Sequence, residues 1–151
     1  MQHGLAAAAD VDPERPLTDA GRSAVASVAA HAATRGVRVD RIVHSGKLRA
    51  EQTAVILADA LGCPVVDEVD GLNPNGDVRR AAHNLVDRMA EGSLAVVGHL
   101  PFLDRFASLL VAQEPEAQVV AFRNAGLVKL VPSSLGGEFA LAWVLTPELA
   151  G

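Results

Sequence analysis

The sequence predicts an α/β fold in which helices cover both faces of a mainly parallel sheet. Two observations lead to this prediction. Short runs rich in Val and Ile alternate along the chain with longer segments whose apolar residues recur at helical spacing. One such run, residues 94–99, is continuously apolar, as is typical of a strand that is covered on both faces. The 151 residues fit a single domain spanning residues 1–151.

The first half of the chain contains two predicted helices. One is expected to start at Thr18, whose hydroxyl can cap it, and to end at Gly36. A strand over residues 37–43 follows. The second helix is expected over residues 47–61, with Ser45 as its N-cap, because this stretch contains neither Pro nor Gly.

The second half continues the alternation and closes with an antiparallel hairpin. Asp77 is expected to cap the third helix, because apolar residues follow it at helical spacing. Pro101 is expected in the first turn of a fourth helix, where its missing N–H group costs nothing. This helix is expected to end near residue 114. The remaining strands are expected at residues 65–66, 94–99, 126–131 and 138–144. The loop of the hairpin is expected at residues 133–137.

Composition excludes several classes of protein. The net charge of −5 argues against a general binder of nucleic acid or of anionic membranes, although a small phosphate group could still be held in a local basic pocket. Cys63 is the only cysteine, so neither a disulfide framework nor a cysteine metal cluster is expected. No apolar run approaches the roughly 20 residues of a membrane span, and no signal peptide is recognised. We expect a cytoplasmic monomer.

Three histidines lie at predicted junctions between a strand and a helix. His3, His44 and His99 all occupy such positions, and Arg49 lies near the start of the helix after His44. In parallel α/β sheets, ligands bind outside the carboxyl ends of the strands. A cation at a helix N-terminus is unfavourable unless an anion lies between them, so Arg49 indicates either an anion site or a side chain that is solvated on the helix face.

Two chemistries are compatible with this arrangement. His3, His44 and His99 could bind a metal ion, although Arg49 and Lys47 would then place positive charge beside it. Alternatively, an anion lies between His3, Arg49 and His99, and one imidazole acts as a nucleophile toward phosphorus.

Four short motifs occur in a fixed order along the chain. They are His3-Gly4, Arg15-Pro16-Leu17-Thr18-x-x-Gly21, Ser45-x-x-x-Arg49-Ala50-x-Gln52-Thr53 and Gly98-His99-x-Pro101. In this order and spacing they resemble the histidine phosphatase superfamily, and specifically its short SixA-type phosphohistidine phosphatase branch. The resemblance extends to residues 73–77 and to Trp143. It implies a three-layer α/β/α sandwich of the phosphoglycerate mutase-like type.

The resemblance also implies roles for individual residues. His3 would take the phosphoryl group on a ring nitrogen, Arg49 would clamp the phosphoryl oxygens, and His99 would donate to the same oxygens. The other phosphate-binding positions that it implies are Gln2, Gly4, Arg15 and Ser45. No metal and no organic cofactor is implied.

Two features depart from the family pattern. Gln2 stands where the family has the arginine of Arg-His-Gly, so a full charge is lost at the phosphate. Few residues precede His3, so the first strand is expected to be truncated and the centre of the sheet to be atypical. The general acid is also unassigned, and the nearest candidates are Glu68 and Asp77.

The resemblance implies a phosphatase that works through a covalent phosphohistidine intermediate on His3. The expected substrate is phosphohistidine in a signalling protein, and inorganic phosphate is the expected product. One alternative is a phosphomonoesterase acting on a small phosphate ester. The other is a catalytically weak phosphate-binding module, because Gln2 replaces the family arginine.

Overall fold

The computed structural model describes residues 1–64, 66–134 and 138–151. The strands in this part of the chain are β1 (Arg41–His44), β2 (Val66–Glu68), β3 (Leu94–Val97), β4 (Leu127–Pro132) and β5 (Phe139–Leu145). The helices are α1 (Asp19–Thr34), α2 (Leu48–Leu61), α3 (Val78–Ala90), α4 (Phe102–Ala112) and α5 (Pro147–Ala150).

Strands β2, β1 and β3 form a parallel sheet in that order, with β1 in the middle. Ile42 of β1 pairs with Val66 on one side and with Ala95 on the other. Strands β4 and β5 form an antiparallel hairpin. The predicted parallel sheet with a C-terminal hairpin is therefore confirmed.

The N-terminal segment, residues 1–3, lies between the end of β3 and the residues that lead into β4. The backbone N–H of His3 donates to the carbonyl oxygen of Gly98 at 3.1 Å. The backbone N–H of Gln2 donates to the carbonyl oxygen of Gly126 at 3.0 Å, and Gln2 also forms a parallel bridge with Gly98. These bonds place His3 at the carboxyl edge of the sheet.

Hydrophobic clusters cover both faces of the parallel sheet. Ile42 and Val43 are consecutive residues of β1 and point to opposite faces, as the pleat of a strand requires. Ile42 packs in a cluster with residues of α1 and α2, whereas Val43 packs with residues of α3 and α4. Each fully buried aliphatic side chain of this kind contributes roughly 1.5–3 kcal/mol. The predicted arrangement of helices on both faces is confirmed.

Local sequence signals placed two helix starts correctly. Thr18 caps α1, and its hydroxyl oxygen accepts from the backbone N–H of Gly21 at 3.0 Å. Asp77 caps α3, and its Oδ1 accepts from the backbone N–H groups of Arg79 at 2.9 Å and Arg80 at 3.1 Å. Each bond satisfies a donor that the helix itself cannot pair.

Other predicted boundaries were wrong. Lys47, not Ser45, is the N-cap of α2, because the Ser45 side chain is used in a tertiary contact described below. Pro101 is the N-cap of α4 and lies just before its first turn. The strand predicted over residues 37–43 begins only at Arg41. The fourth helix ends at Ala112, where Gln113 adopts a left-handed conformation.

Two predicted elements extend beyond the part of the chain that is described. Residue 65 of the short strand and residues 135–137 of the hairpin loop lie outside the described residues. Within the described ranges, no helix combines the length and the apolar character that crossing a membrane would require.

Candidate active site

The structure brings together His3, Arg49 and His99 at the carboxyl edge of the sheet. His3 ends the N-terminal segment, His99 follows β3, and Arg49 lies in the first turn of α2. The ring centroids of His3 and His99 are 4.9 Å apart, with an angle of 57° between the ring planes. The Nε of Arg49 donates to the Nε2 of His3 at 3.3 Å. The Arg49 residue is buried, with only 9% of its surface exposed.

The hydrogen bonds of His3 indicate which ring nitrogen carries the proton. Its Nδ1 lies 2.7 Å from the carbonyl oxygen of Gly4, which can only accept a hydrogen bond. Nδ1 is therefore the donor, and Nε2 presents its lone pair toward Arg49. Burial lowers the pKa of His3, and the charges of Arg49 and Arg15 lower it further, although the bond to Gly4 acts in the opposite direction. The neutral imidazole has the form that a nucleophile needs.

His99 is more deeply buried than His3, with only 2% of its surface exposed. Its Nε2 lies 2.6 Å from the hydroxyl oxygen of Ser45, and its Nδ1 is buried with no hydrogen-bond partner among the residues described. Burial lowers the pKa of His99 to about 3, and repulsion from His3 in its protonated form and from the positive charges of Arg49, Lys47 and Arg15 lowers it further. An anion placed among these groups would oppose the same shift.

Two residues of α2 connect the parts of the site. The hydroxyl of Thr53, which is fully buried, accepts from the backbone N–H of Gly4 at 3.2 Å and donates to the carbonyl oxygen of Arg49 at 2.7 Å. The Oε1 of Gln52 accepts from the backbone N–H of Leu17 at 2.8 Å. The motif that contains Arg49 therefore anchors both the segment after His3 and the end of the loop before α1.

Arg15 belongs to the loop before α1 and adopts a left-handed backbone conformation, with φ of 52°. Its Nε donates to the carbonyl oxygen of Ala7 at 3.2 Å. Its positive charge lowers the pKa values of His3, Arg49 and His99.

Gln2 is held by a residue that the sequence did not indicate. Its Nε2 donates to the Oδ1 of Asn124 at 2.6 Å, while its Oε1 is buried without a partner among the described residues. Asn124 lies in the segment that leads into β4, and no local motif marks it. The amide of Gln2 supplies no positive charge, so Arg15, Lys47 and Arg49 are the cations of the site.

The structure gives no support to a three-histidine metal site. The Nδ1 of His44 accepts from the backbone N–H of Gly46 at 3.2 Å, so this side chain serves the local turn. Over residues 1–64, 66–134 and 138–151, no group of three His, Cys, Asp or Glu side chains is arranged to hold a metal ion. The carboxylate of Glu68 lies against Gly46 at the edge of the site, whereas Asp77 is occupied in capping α3.

The chain is similar to known proteins in both sequence and fold. A family model described as histidine phosphatase superfamily (branch 1) matches residues 4–73. Phosphohistidine phosphatase SixA of Escherichia coli (strain K12) is 31% identical to the chain in an alignment of 151 positions. The alignment covers 97% of this chain and 91% of SixA.

Solved structures are similar over almost the whole chain. The structure of the protein histidine phosphatase SixA complexed with tungstate has a TM-score of 0.84 and 28% identity, with 97% of this chain and 94% of that chain covered. A phosphoserine phosphatase of Entamoeba histolytica shares the fold, with a TM-score of 0.72, 17% identity, and coverage of 98% of this chain and 96% of that chain. The chain therefore belongs to the histidine phosphatase superfamily and is a phosphoric hydrolase similar to SixA.

Proposed function

We propose that the protein dephosphorylates phosphohistidine in a partner protein, with His3 as the nucleophile. The observation that carries this proposal is the pair of hydrogen bonds at His3, which leave the Nε2 lone pair facing Arg49. In the first step a bond forms between Nε2 and phosphorus, and the bond from phosphorus to the substrate imidazole breaks. In the second step water attacks the phosphorylated His3, which releases inorganic phosphate and restores the neutral ring.

Basic groups around His3 would stabilise the phosphoryl group in both steps. Arg49 and Arg15 would donate to its oxygens, and the planar guanidinium of Arg49 suits two oxygens at once. His99, oriented by Ser45, would donate to an oxygen that gains charge in the transition state. The backbone around Gly4 orients the nucleophile, and Gln2 lies beside it without contributing charge.

The nature of the leaving group explains why the site can work without a buried carboxylic acid. A phosphohistidine loses a neutral imidazole once the departing nitrogen is protonated, and solvent can supply that proton at neutral pH because the pKa of imidazole is about 6.5. An alkyl ester would release an alkoxide and would need a positioned acid. Glu68 lies only at the edge of the site and is exposed. The similarity to SixA, a phosphohistidine phosphatase by name, supports the same substrate class.

The proposal is tested by turnover and by trapping of labelled enzyme. The wild type, His3→Ala and the control His83→Ala, which changes an exposed histidine of α3, are incubated with a protein that carries ³²P-labelled phosphohistidine. We expect turnover and an acid-labile label on the wild type and on His83→Ala, and neither on His3→Ala. Turnover by His3→Ala at the wild-type rate would contradict the proposal.

The two alternative functions give different results in the same assay. A phosphomonoesterase would hydrolyse small phosphate esters far faster than phosphohistidine. A phosphate-binding module would bind inorganic phosphate but would neither turn over nor become labelled, and restoration of turnover by Gln2→Arg would identify Gln2 as the cause.

A further inference from the structure

A groove of about 350 Å³ opens beside the proposed active site. Leu100 and Pro101 line one wall, and they follow His99 directly in the chain. Residues 120–122 also line the groove and lead toward Ala125, whose backbone N–H donates to the carbonyl oxygen of His3 at 3.1 Å. The residues that line the groove are therefore connected along the chain to His99 and, through Ala125, to the backbone of His3.

The groove is mostly apolar but contains one carboxylate. Leu100, Pro101 and Phe122 supply apolar surface, and Leu100 is 40% exposed. Asp104, in the first turn of α4, supplies the charge. Its Oδ1 is buried and has no hydrogen-bond partner in the described part of the chain. Buried carboxylate oxygens are almost always paired, so this one lacks a donor that a ligand could supply.

The surroundings of Asp104 do not provide that donor. Arg105, the next residue, forms an ion pair with Glu116, with 2.7 Å between its Nε and the carboxylate Oε1. Burial raises the pKa of Asp104, and the carboxylate of Glu116 raises it further. No Lys, Arg or His is among the described residues that line the groove. A cationic group would relieve both the missing hydrogen bond and the repulsion between the two carboxylates.

We propose that the groove docks a lysine or arginine side chain of the phosphohistidine-bearing partner protein. The aliphatic stem of that side chain would lie on Leu100, Pro101 and Phe122, and its charged end would bond to Asp104. Rotation about the Cβ–Cγ bond of Asp104, a torsion with a broad minimum, can turn the buried oxygen toward the bound cation. This inference rests on the proposed function, since it assigns a second contact to the same substrate.

Charge complementarity favours this occupant. The positive charges of Arg15, Lys47 and Arg49 all lower the pKa of His99 in the proposed phosphate site, whereas Asp104 is the only charged side chain among the described residues that line the adjacent groove. A partner that carries a phosphoryl group and a nearby basic side chain matches both regions in one orientation. A small phosphate ester engages the first region alone. The groove would therefore give the enzyme a preference for a protein substrate whose phosphohistidine has a basic neighbour.

The test compares two substrates and three enzymes. The substrates are phosphoramidate, which is too small to reach the groove, and phosphohistidine peptides in which one lysine is moved through successive positions. The enzymes are the wild type, Asp104→Asn and Asp59→Asn, a control that removes the same charge from an exposed position on α2. For the lysine peptide with the lowest KM, we expect Asp104→Asn to raise KM about fivefold without changing kcat. This is the size of effect expected when one partly exposed ion pair is lost.

The controls separate docking from damage to the active site. Asp59→Asn should leave KM unchanged for every substrate, and Asp104→Asn should leave phosphoramidate hydrolysis unchanged. Replacing the peptide lysine by glutamine should raise KM for the wild type and remove the difference between wild type and Asp104→Asn. The rise in KM for the wild type is measured without any protein variant, so this part of the test does not depend on the folding of Asp104→Asn.

Three results would overturn the inference. Equal KM values for all lysine positions in the wild type would exclude a docking contact while leaving the phosphatase function intact. An equal loss of phosphoramidate hydrolysis in Asp104→Asn would assign Asp104 to the active site itself. Failure of the wild type to hydrolyse either substrate would overturn both the docking contact and the proposed function.

Discussion

The hydroxyl of Thr53 joins the backbone of the proposed nucleophile segment to that of the proposed phosphate clamp, so Thr53→Val tests the architecture of the site directly. Valine keeps nearly the same size but cannot accept the hydrogen bond from Gly4. The carbonyl of Arg49 keeps its regular helical partner, so only the Gly4 N–H is left unsatisfied. An unsatisfied buried donor costs about 1–3 kcal/mol.

The size of this effect can be measured by thermal unfolding. For a chain of this length, each 1 kcal/mol lowers Tm by about 2–4 °C, so we expect a loss of several degrees. Movement of Gly4 also shifts His3 relative to Arg49, and a displacement near 1 Å can reduce turnover about 100-fold. We therefore expect kcat toward phosphohistidine to fall between about 10- and 100-fold in Thr53→Val.

Thr53→Ser is the matched control. It keeps the hydroxyl and removes one methyl group from a fully buried position, at a cost of about 1 kcal/mol. We expect this variant to be slightly destabilised but to retain turnover near that of the wild type. If Thr53→Val unfolds at the wild-type Tm with undiminished kcat, the hydroxyl does not hold the two segments together and the reasoning is wrong.

Three further predictions follow from the charges and contacts around His3 and His99. Gln2→Arg should lower the concentration of inorganic phosphate needed for half inhibition, because it adds a charge at the phosphate; unchanged inhibition would refute this. Ser45→Ala should reduce kcat about tenfold with little change in Tm, because it removes the contact that orients His99; an unaltered kcat would show that the contact is dispensable. The pKa of His99 falls from 6.5 to about 3 on folding, so the unfolded chain binds more protons in this window. The free energy of unfolding in urea should therefore fall as the pH drops from about 6.5 toward 3, and His99→Asn should flatten that dependence.

Two of the helix caps could be read from the sequence because they depend on neighbouring residues. Thr18 and Asp77 bond to backbone groups only two or three positions away, so a local pattern identifies them. The convergence of His3 and His99 also followed from a general rule, because the carboxyl ends of neighbouring parallel strands meet at one edge.

The contacts that tune the site were not predictable in the same way. Ser45 has the sequence context of a helix cap, but its hydroxyl contacts His99, which is 54 positions away. Asn124, which holds Gln2, lies in a segment without a recognisable pattern. The unpaired oxygen of Asp104 depends on how α4 packs against residues 118–122. Each of these contacts joins distant parts of the chain, so only the folded arrangement reveals them.

The position of residues 1–3 between β3 and the approach to β4 also constrains when the site can form during protein synthesis. Gln2 and its partner Asn124 are 122 positions apart, and a ribosome that adds about 5–20 residues per second needs roughly 6–25 s to make the intervening chain. Until then, His3 lacks one of the two neighbours that fix its backbone. A nascent chain that stops before residue 125 can therefore contain every proposed catalytic residue and still lack the assembled phosphate site.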